Sequence, residues 1–194
     1  MNWLSFISYV IITTFTPGPN NISSMTNASR YGFVKSLFYR VGITVGFFLV
    51  MGLCALFSAT LLKYIPALKP YMLALGAAYI LWLAWKTYSS SSHSSGDGAV
   101  QSECSFLSGL FLQFVNVKVI LYGVTTMSTF VLPHTQSLAL LAAASAILAL
   151  TAFVSTSSWA AFGAVFNRFL KNHERATNIA MALLLVYCAV SLYL

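Results

Sequence analysis

Two short polar segments interrupt apolar stretches of the chain, and they carry the residues that could bind a small charged molecule. The first reads Thr16-Pro17-Gly18-Pro19-Asn20-Asn21, with no charged residue before it. Both prolines lack a backbone N–H, and Pro19 disfavours a helical conformation at Gly18, so we predict a break between two half-helices. Asparagine is a good N-cap, so the second half-helix is predicted to begin at Asn20-Asn21. Its positive end would attract a carboxylate. The alternative is a kink whose freed backbone groups are satisfied by neighbouring helices.

The second polar segment contains Gln113, Asn116 and Lys118. A lysine at the centre of an apolar span costs about 2.5–3.5 kcal/mol on insertion scales, so it marks a pathway for substrate or ions. On an ideal helix Lys118 is offset from Asn116 by about 200°. Lys118 therefore either joins the other polar groups, through a local break or by the reach of its long stem, or snorkels to the membrane interface. We favour a place in the cavity, and we predict one substrate site formed by Thr16, Gly18, Asn20, Asn21, Gln113, Asn116 and Lys118.

The composition predicts that these segments lie in a membrane. Of the 194 residues, 59% are hydrophobic and only 7% are charged, whereas a soluble domain carries about 25% charged residues. Irregular main chain inside lipid survives only where it is buried in protein or lines a wet cavity. We therefore expect a single membrane transport domain over residues 1–194, whose broken helices surround a substrate.

Six apolar spans of roughly 20 residues, the length that crosses a bilayer, can be drawn. They cover about 3–26, 37–62, 67–87, 105–131, 138–165 and 175–193. The first is broken at Pro17-Pro19, and Pro66 and Pro70 place a turn between the second and third. A Ser/Gly-rich linker, about 89–104, separates one half of the chain (about 1–88) from the other (about 105–194). The predicted fold is an all-α integral membrane protein with six transmembrane helices in two inverted three-helix halves.

The basic residues predict how these spans are oriented, because Lys and Arg accumulate in cytoplasmic loops. Seven fall on one side, namely Arg30, Lys35, Arg40, Lys86, Arg168, Lys171 and Arg175. Lys63 and Lys69 fall on the other side. The 30–40 loop, the linker and the 166–175 loop are therefore predicted to be cytoplasmic, and both termini periplasmic.

Several classes of protein are disfavoured by what the sequence lacks. The three acids, Asp97, Glu103 and Glu174, all lie in predicted cytoplasmic segments, so no membrane carboxylate is available as a proton relay. We find no acid pair, no plausible catalytic triad, no metal-ligand spacing among the three histidines and no ATP-binding loop. We expect no enzyme activity, no metal and no cofactor. The scattered basic residues also predict no binding to nucleic acid.

Two further patterns leave alternatives open. Gly42 and Gly46 form a GxxxG motif that favours close packing within the chain over a homo-oligomer. Hydroxyl-bearing residues between Thr151 and Ser158 either line the cavity or bond back to their own helix.

Four segments carry a resemblance to a known family: Thr16–Asn21, Tyr31–Phe33, Gly76–Lys86 and Leu112–Lys118. Together they resemble the lysine exporter / homoserine–threonine resistance (LysE/RhtB) family of small amino-acid efflux carriers. Residues 114–125 and 183–190 are similar to the branch that exports cysteine and O-acetylserine. The resemblance implies six helices in the bacterial inner membrane and export driven by the proton-motive force.

Two departures from that family bear on the site. Many members have Asn-Pro-Lys where this chain has Asn116-Val117-Lys118, so whether the fourth span is broken is left open. Some members have Asp at the position of Asn20, so the residue that would carry a proton is unassigned.

The predicted function is therefore secondary active export of small neutral amino acids by alternating access. The substrate carboxylate would meet Lys118 and the half-helix start at Asn20-Asn21, while Gln113 or Asn116 would hold its other polar groups. Two alternatives remain, a non-transporting membrane scaffold or subunit and a passive amino-acid channel.

Overall fold

The computed structural model describes residues 3–89, 105–165 and 174–190, and within these ranges every regular element is a helix. The all-α prediction is confirmed at this level. The helices are α1 (Trp3–Phe15), α2 (Pro19–Tyr31), α3 (Leu37–Ser89), α4 (Phe106–Val115), α5 (Val117–Thr126) with a π-helix (Met127–Val131), α6 (Leu138–Val165) and α7 (Glu174–Val190). Nearly all of the predicted linker and most of the predicted 166–175 loop lie outside the described residues.

Length and composition identify fewer spans than the sequence predicts. Among the described residues, Leu37–Phe57 and Leu138–Val165 are each long and apolar enough to cross a membrane. Phe106–Val115 and Val117–Val131 make a third if this bent pair is one span. The helices Trp3–Phe15 and Arg175–Val190 are apolar but shorter. The arrangement of six spans in two inverted halves therefore stays a prediction.

The first predicted break is present. Helix α1 ends at Phe15 and α2 begins at Pro19, with Gly18 extended (φ −173°, ψ 173°) between them. Gly18 is the N-cap of α2, so the prediction that the helix begins at Asn20-Asn21 is wrong. Proline fits the first helical position because its φ is already helical and its missing N–H would have no partner there.

The span from Phe106 to Val131 is also broken, although Val117 stands where relatives have proline. Asn116 (φ −83°, ψ 95°) ends α4 and begins α5, and the two halves meet at 66°. The Asn116 carbonyl accepts hydrogen bonds from the backbone N–H groups of Val119 and Ile120 at 2.9 and 3.1 Å. Asparagine favours such helix starts, so the break does not require a proline.

The break in α3 is not where the sequence predicts it. The non-helical residue is Phe57 (φ −110°, ψ 16°), and the helix then continues to Ser89 without a turn at Pro66 or Pro70. A proline keeps a helical φ and removes one hydrogen bond, so a helix can bend at it or run through it. The predicted boundary between spans 37–62 and 67–87 is therefore wrong.

Two apolar clusters hold the helices together around the first break. One joins α1, α3, α5 and α6, and includes Val10, Met51, Tyr122 and Leu148. The other joins α2, the later part of α3 and α7, and includes Ile22, Ile80 and Leu185. Since α1 belongs to the first cluster and α2 to the second, the chain between them passes from one cluster to the other.

The predicted basic anchors are not all free at the surface. Arg30 donates hydrogen bonds to the carbonyl oxygen of Thr87 (3.1 Å) and to Asn178 Oδ1 (3.3 Å). Arg40 is 1% exposed, so its charge is enclosed by protein and does not face solvent; the side of the membrane on which it lies stays a prediction. Its side chain is held by neutral oxygen atoms inside the protein, which a count of charges along the sequence cannot detect.

The GxxxG motif packs α3 against α4 within the chain. A Cβ at Gly46 would lie 2.6 Å from the carbonyl oxygen of Leu110 and 2.9 Å from Gln113 Cγ. A Cβ at Gly42 would collide with the carbonyl group of Phe106. Small residues permit this close approach, and the packing fixes α4 where it can reach the first break.

Gly46→Leu is expected to lower the melting temperature of the purified protein in detergent by about 5–10 °C, because the new side chain cannot fit against α4. Gly52→Leu is the matched control on the same helix, since a Cβ at Gly52 meets nothing within 4 Å. Differential scanning fluorimetry measures both. Equal melting temperatures for the two variants would contradict this account of the motif.

Candidate functional site

The two helix breaks meet at Lys118. Its ammonium donates a hydrogen bond to Thr16 Oγ1 (3.0 Å) and lies 3.4 Å from the carbonyl oxygens of both Thr16 and Pro17. Because the helix bends at Asn116, the Lys118 side chain points toward the first break. On a straight helix it would be offset from Asn116 by about 200°. Lys118 therefore bonds oxygen atoms of the first break, so its ammonium is held against the protein at that break.

Gly18 allows the lysine to approach. A Cβ at this position would lie 3.1 Å from Lys118 Nζ and 3.3 Å from its Cδ. The backbone at Gly18 is extended, a conformation that any residue can adopt. Glycine is needed here because a side chain would occupy the space of Lys118. The ammonium thus lies beside the N-terminus of α2, which has no side-chain cap.

A network of amide groups joins α2 to the second break. Asn20 Nδ2 donates to Gln113 Oε1 (2.8 Å), and Gln113 Nε2 donates back to Asn20 Oδ1 (3.0 Å). Asn116 Nδ2 donates to the same Asn20 oxygen at 3.1 Å. Gln113 is fully buried and also donates to the Gly109 carbonyl. The network sets the position of α2 relative to α4 and α5.

Asn21 repairs the end of α1. Its Nδ2 donates to the carbonyl oxygens of Thr14 and Thr16, both at 2.9 Å. Ser155 Oγ in α6 donates to the Thr14 carbonyl (2.9 Å) and lies 3.2 Å from Asn21 Oδ1. These bonds satisfy carbonyl groups that lose their helical partners where α1 stops. They explain how the irregular main chain at this break is accommodated.

A partly open cavity with an empty volume of about 400 Å³ lies between the breaks. That size is within the range of small-molecule sites. Its walls come from α1, α2, α3, α5, α6 and the residues at the two breaks, and they are formed by Thr13, Thr14, Gly18, Pro19, Asn20, Asn21, Phe47, Asn116, Lys118, Val119, Tyr122, Ala152 and Thr156.

The structure brings all seven predicted site residues together, in two different positions. Gly18, Asn20, Asn21, Asn116 and Lys118 line the cavity. The other two are not part of the wall: Thr16 is exposed and bonds Lys118, and Gln113 is buried and bonds Asn20.

The sequence reasoning missed several residues of the wall, above all Tyr122 and Phe47. The Tyr122 ring stacks on Tyr9 at 5.7 Å between ring centroids, and it contacts Phe47 at 5.8 Å. Aromatic residues in apolar helices look like ordinary core residues in a sequence, so no local signal marked them. Thr156 lines the cavity while its hydroxyl bonds back to Ala152 at 2.9 Å.

Two polar atoms of the lining residues are left without partners. The Tyr122 hydroxyl is buried beside the Thr14 and Thr126 side chains, without a close hydrogen bond to either. Asn116 Oδ1 is buried and has no hydrogen-bond partner in the part of the chain that the structure describes. Buried polar groups normally have one. Lys118 supplies positive charge, and none of the described residues that line the cavity is acidic. The cavity therefore offers an ammonium, an amide acceptor and a phenol to a ligand.

Broken helices whose ends meet at a polar cavity are the arrangement of membrane transporters. The chain belongs to the family described as LysE type translocators, whose model matches residues 11–194. It is similar to the cysteine/O-acetylserine efflux protein of Escherichia coli (strain K12), with 44% identity over 189 residues that cover 97% of this chain and 96% of the relative. The proteins of the same name from Shigella sonnei (strain Ss046) and Shigella flexneri match equally well. No solved structure matches the chain.

Proposed function

We propose that the chain is a secondary active exporter of small neutral amino acids, with cysteine and O-acetylserine as its substrates. The observation that carries this proposal is the meeting of both helix breaks at Lys118, on the wall of a cavity. The family and the name of the relatives support the same function. Such a protein binds and moves its substrate without changing it, so we propose no enzyme activity.

The substrate carboxylate is assigned to Lys118 and to the N-terminus of α2. A carboxylate gains a charge-assisted hydrogen bond from the ammonium, and the uncapped helix end adds a positive field. In the structure, the Lys118 ammonium hydrogen-bonds neutral oxygens of Thr16 and Pro17. Because an anionic partner is stronger than a neutral one, a carboxylate would compete well for this ammonium.

The rest of the substrate is assigned to Asn116 and Tyr122 on the cavity wall. Asn116 Oδ1, which has no partner among the described residues, would accept a hydrogen bond from the α-ammonium, and the Tyr122 hydroxyl would face the thiol or the acetyl ester. Asn20 and Gln113 hold Asn116 in place through their hydrogen bonds. Since no described lining residue is acidic, a side chain with a second ammonium would remain unpaired, so lysine should be excluded.

The membrane arrangement belongs to the same proposal. We infer six inner-membrane spans in two inverted halves, which form one transport domain over 1–194, with both termini periplasmic. In this orientation α2 runs from the centre of the membrane to the cytoplasmic face, and α3 starts there. Alternating access would then expose the cavity first to one side and then to the other. The lipid bilayer and the amino acid are the partners we propose, and the protein could act as a monomer or as a homo-oligomer.

The proposal is tested with purified protein in liposomes loaded with labelled O-acetylserine, cysteine or lysine. We expect saturable release of the first two, faster with an imposed pH gradient, and no release of lysine. Release that rises linearly with concentration and ignores the gradient would indicate a passive channel. Liposomes that retain all three amino acids would contradict transport and favour a membrane scaffold. The scaffold alternative is supported by the GxxxG motif only if that motif binds another chain. Gly42 and Gly46 instead pack within this chain.

A further inference from the structure

Arg40 is a buried cation that the substrate cavity does not use. It is among the largest fully buried side chains of the described residues, at 1% exposure. Its Nη1 donates to Ser157 Oγ (2.8 Å) and its Nη2 donates to the Phe33 carbonyl (2.7 Å). The guanidinium also lies 4.1 Å from the centre of the Phe33 ring. All of these partners are neutral.

The hydrogen-bonding capacity of Arg40 is not filled. Arginine has five N–H donors in a fixed fork, and the buried Nε has no partner among the described residues. A buried charge is normally paired with an opposite charge, because neutral partners compensate its desolvation incompletely. The arrangement is therefore suited to an anion that arrives from outside the protein.

Arg40 lies close to the cavity wall along both helices that it joins. Arg40, Thr44 and Phe47 share one face of α3, at the i, i+4, i+7 spacing, and Phe47 lines the cavity. Phe47 follows Arg40 by seven positions, a rise of about 10 Å along the helix. On α6, the partner Ser157 directly follows Thr156, another residue of the cavity wall. Arg40 does not itself line the cavity but lies beyond its wall, on the side of the start of α3.

We propose that Arg40 is the cytoplasmic gate of the carrier and the first binding site for the carboxylate of its substrate. The inference rests on the proposed function and orientation. In the closed gate, Arg40 ties the turn before α3, through Phe33, to Ser157 on α6. A carboxylate matches the guanidinium fork with two parallel hydrogen bonds, so it displaces both neutral oxygens. The turn then separates from α6, and the substrate passes on to Lys118.

The test places a reporter thiol at Thr44, one helical turn from Arg40 and between it and Phe47 on α3. Thr44→Cys is made in a Cys104→Ser background, and the same protein without Thr44→Cys gives the blank, since Cys54 and Cys188 are buried. Inside-out vesicles expose the cytoplasmic face to an impermeant maleimide. We expect O-acetylserine to speed labelling about tenfold, the scale of one charged hydrogen bond. Its methyl ester, which lacks the carboxylate, should have no effect.

Two variants separate a gate from a structural contact. Ser157→Ala removes one acceptor and keeps the cation, so labelling should be faster without substrate and should still respond to it. Arg40→Gln should label fast with and without O-acetylserine and should lose export. A labelling rate that O-acetylserine does not change, in protein that exports it, would overturn the gate and leave the exporter intact. If Arg40→Gln does not fold, Ser157→Ala still decides, because an unchanged basal rate contradicts the proposal.

Discussion

Replacing Lys118 by methionine is expected to reduce export of cysteine and O-acetylserine roughly 30- to 100-fold, the scale of a lost hydrogen bond between charged groups. Methionine keeps the length and apolar stem of the side chain, but it removes the ammonium beside the α2 N-terminus. The membrane imposes no penalty on the change, because an uncharged residue inserts more readily than lysine. Release from loaded liposomes measures the effect.

Three controls make the Lys118 result specific. Lys118→Arg keeps a positive charge and should retain part of the activity. Lys35→Met removes an exposed lysine and should leave export near the level of the unaltered protein. The melting temperature of Lys118→Met in detergent should not fall by more than a few degrees, since the bonds lost to Thr16 and Pro17 are few. Normal export by Lys118→Met would show that the substrate carboxylate does not depend on Lys118.

The sequence predicts the first break because its cause is local. Prolines and glycine at 17–19 restrict the backbone wherever the chain lies, and the structure breaks there. The residue at which α2 begins depends less on the local sequence. Asn20 and Asn21 have the properties of N-caps, but their side chains bond Gln113 and the end of α1 instead. Both asparagines could act as N-caps, but their hydrogen bonds to other parts of the chain determine their actual role.

The meeting of the two breaks could be predicted only as a hypothesis. Thr16 and Lys118 are 102 residues apart, and the sequence assigns both to one site only because broken main chain and a lysine are each costly in lipid. Tyr122 and Phe47 carried no such cost, so nothing in the sequence separated them from core residues. The burial of Arg40 could not be predicted for a related reason, since a basic residue at the end of an apolar span has the same pattern whether it faces solvent or packs inward.

The amide network should be the most sensitive structural feature of the site. Asn20→Leu removes both hydrogen bonds between the Asn20 and Gln113 side-chain amides. It also removes the oxygen that accepts from Asn116 Nδ2. Each buried polar group left unpaired costs about 1–3 kcal/mol. For a chain of this size the melting temperature should fall by roughly 5–15 °C. Export should be lost as well, because Asn116 is no longer held at the cavity wall.

A double-mutant cycle with Gln113→Leu shows whether the loss comes from this network. When both partners of a buried pair become apolar, neither is left unsatisfied, so the double variant should be more stable than the sum of the single losses predicts, by about 1–3 kcal/mol. Its export should nevertheless stay low, since Asn116 still lacks its acceptor. Additive losses of stability would mean that Asn20 and Gln113 act independently. Restored export would mean that Asn116 needs no support from α2.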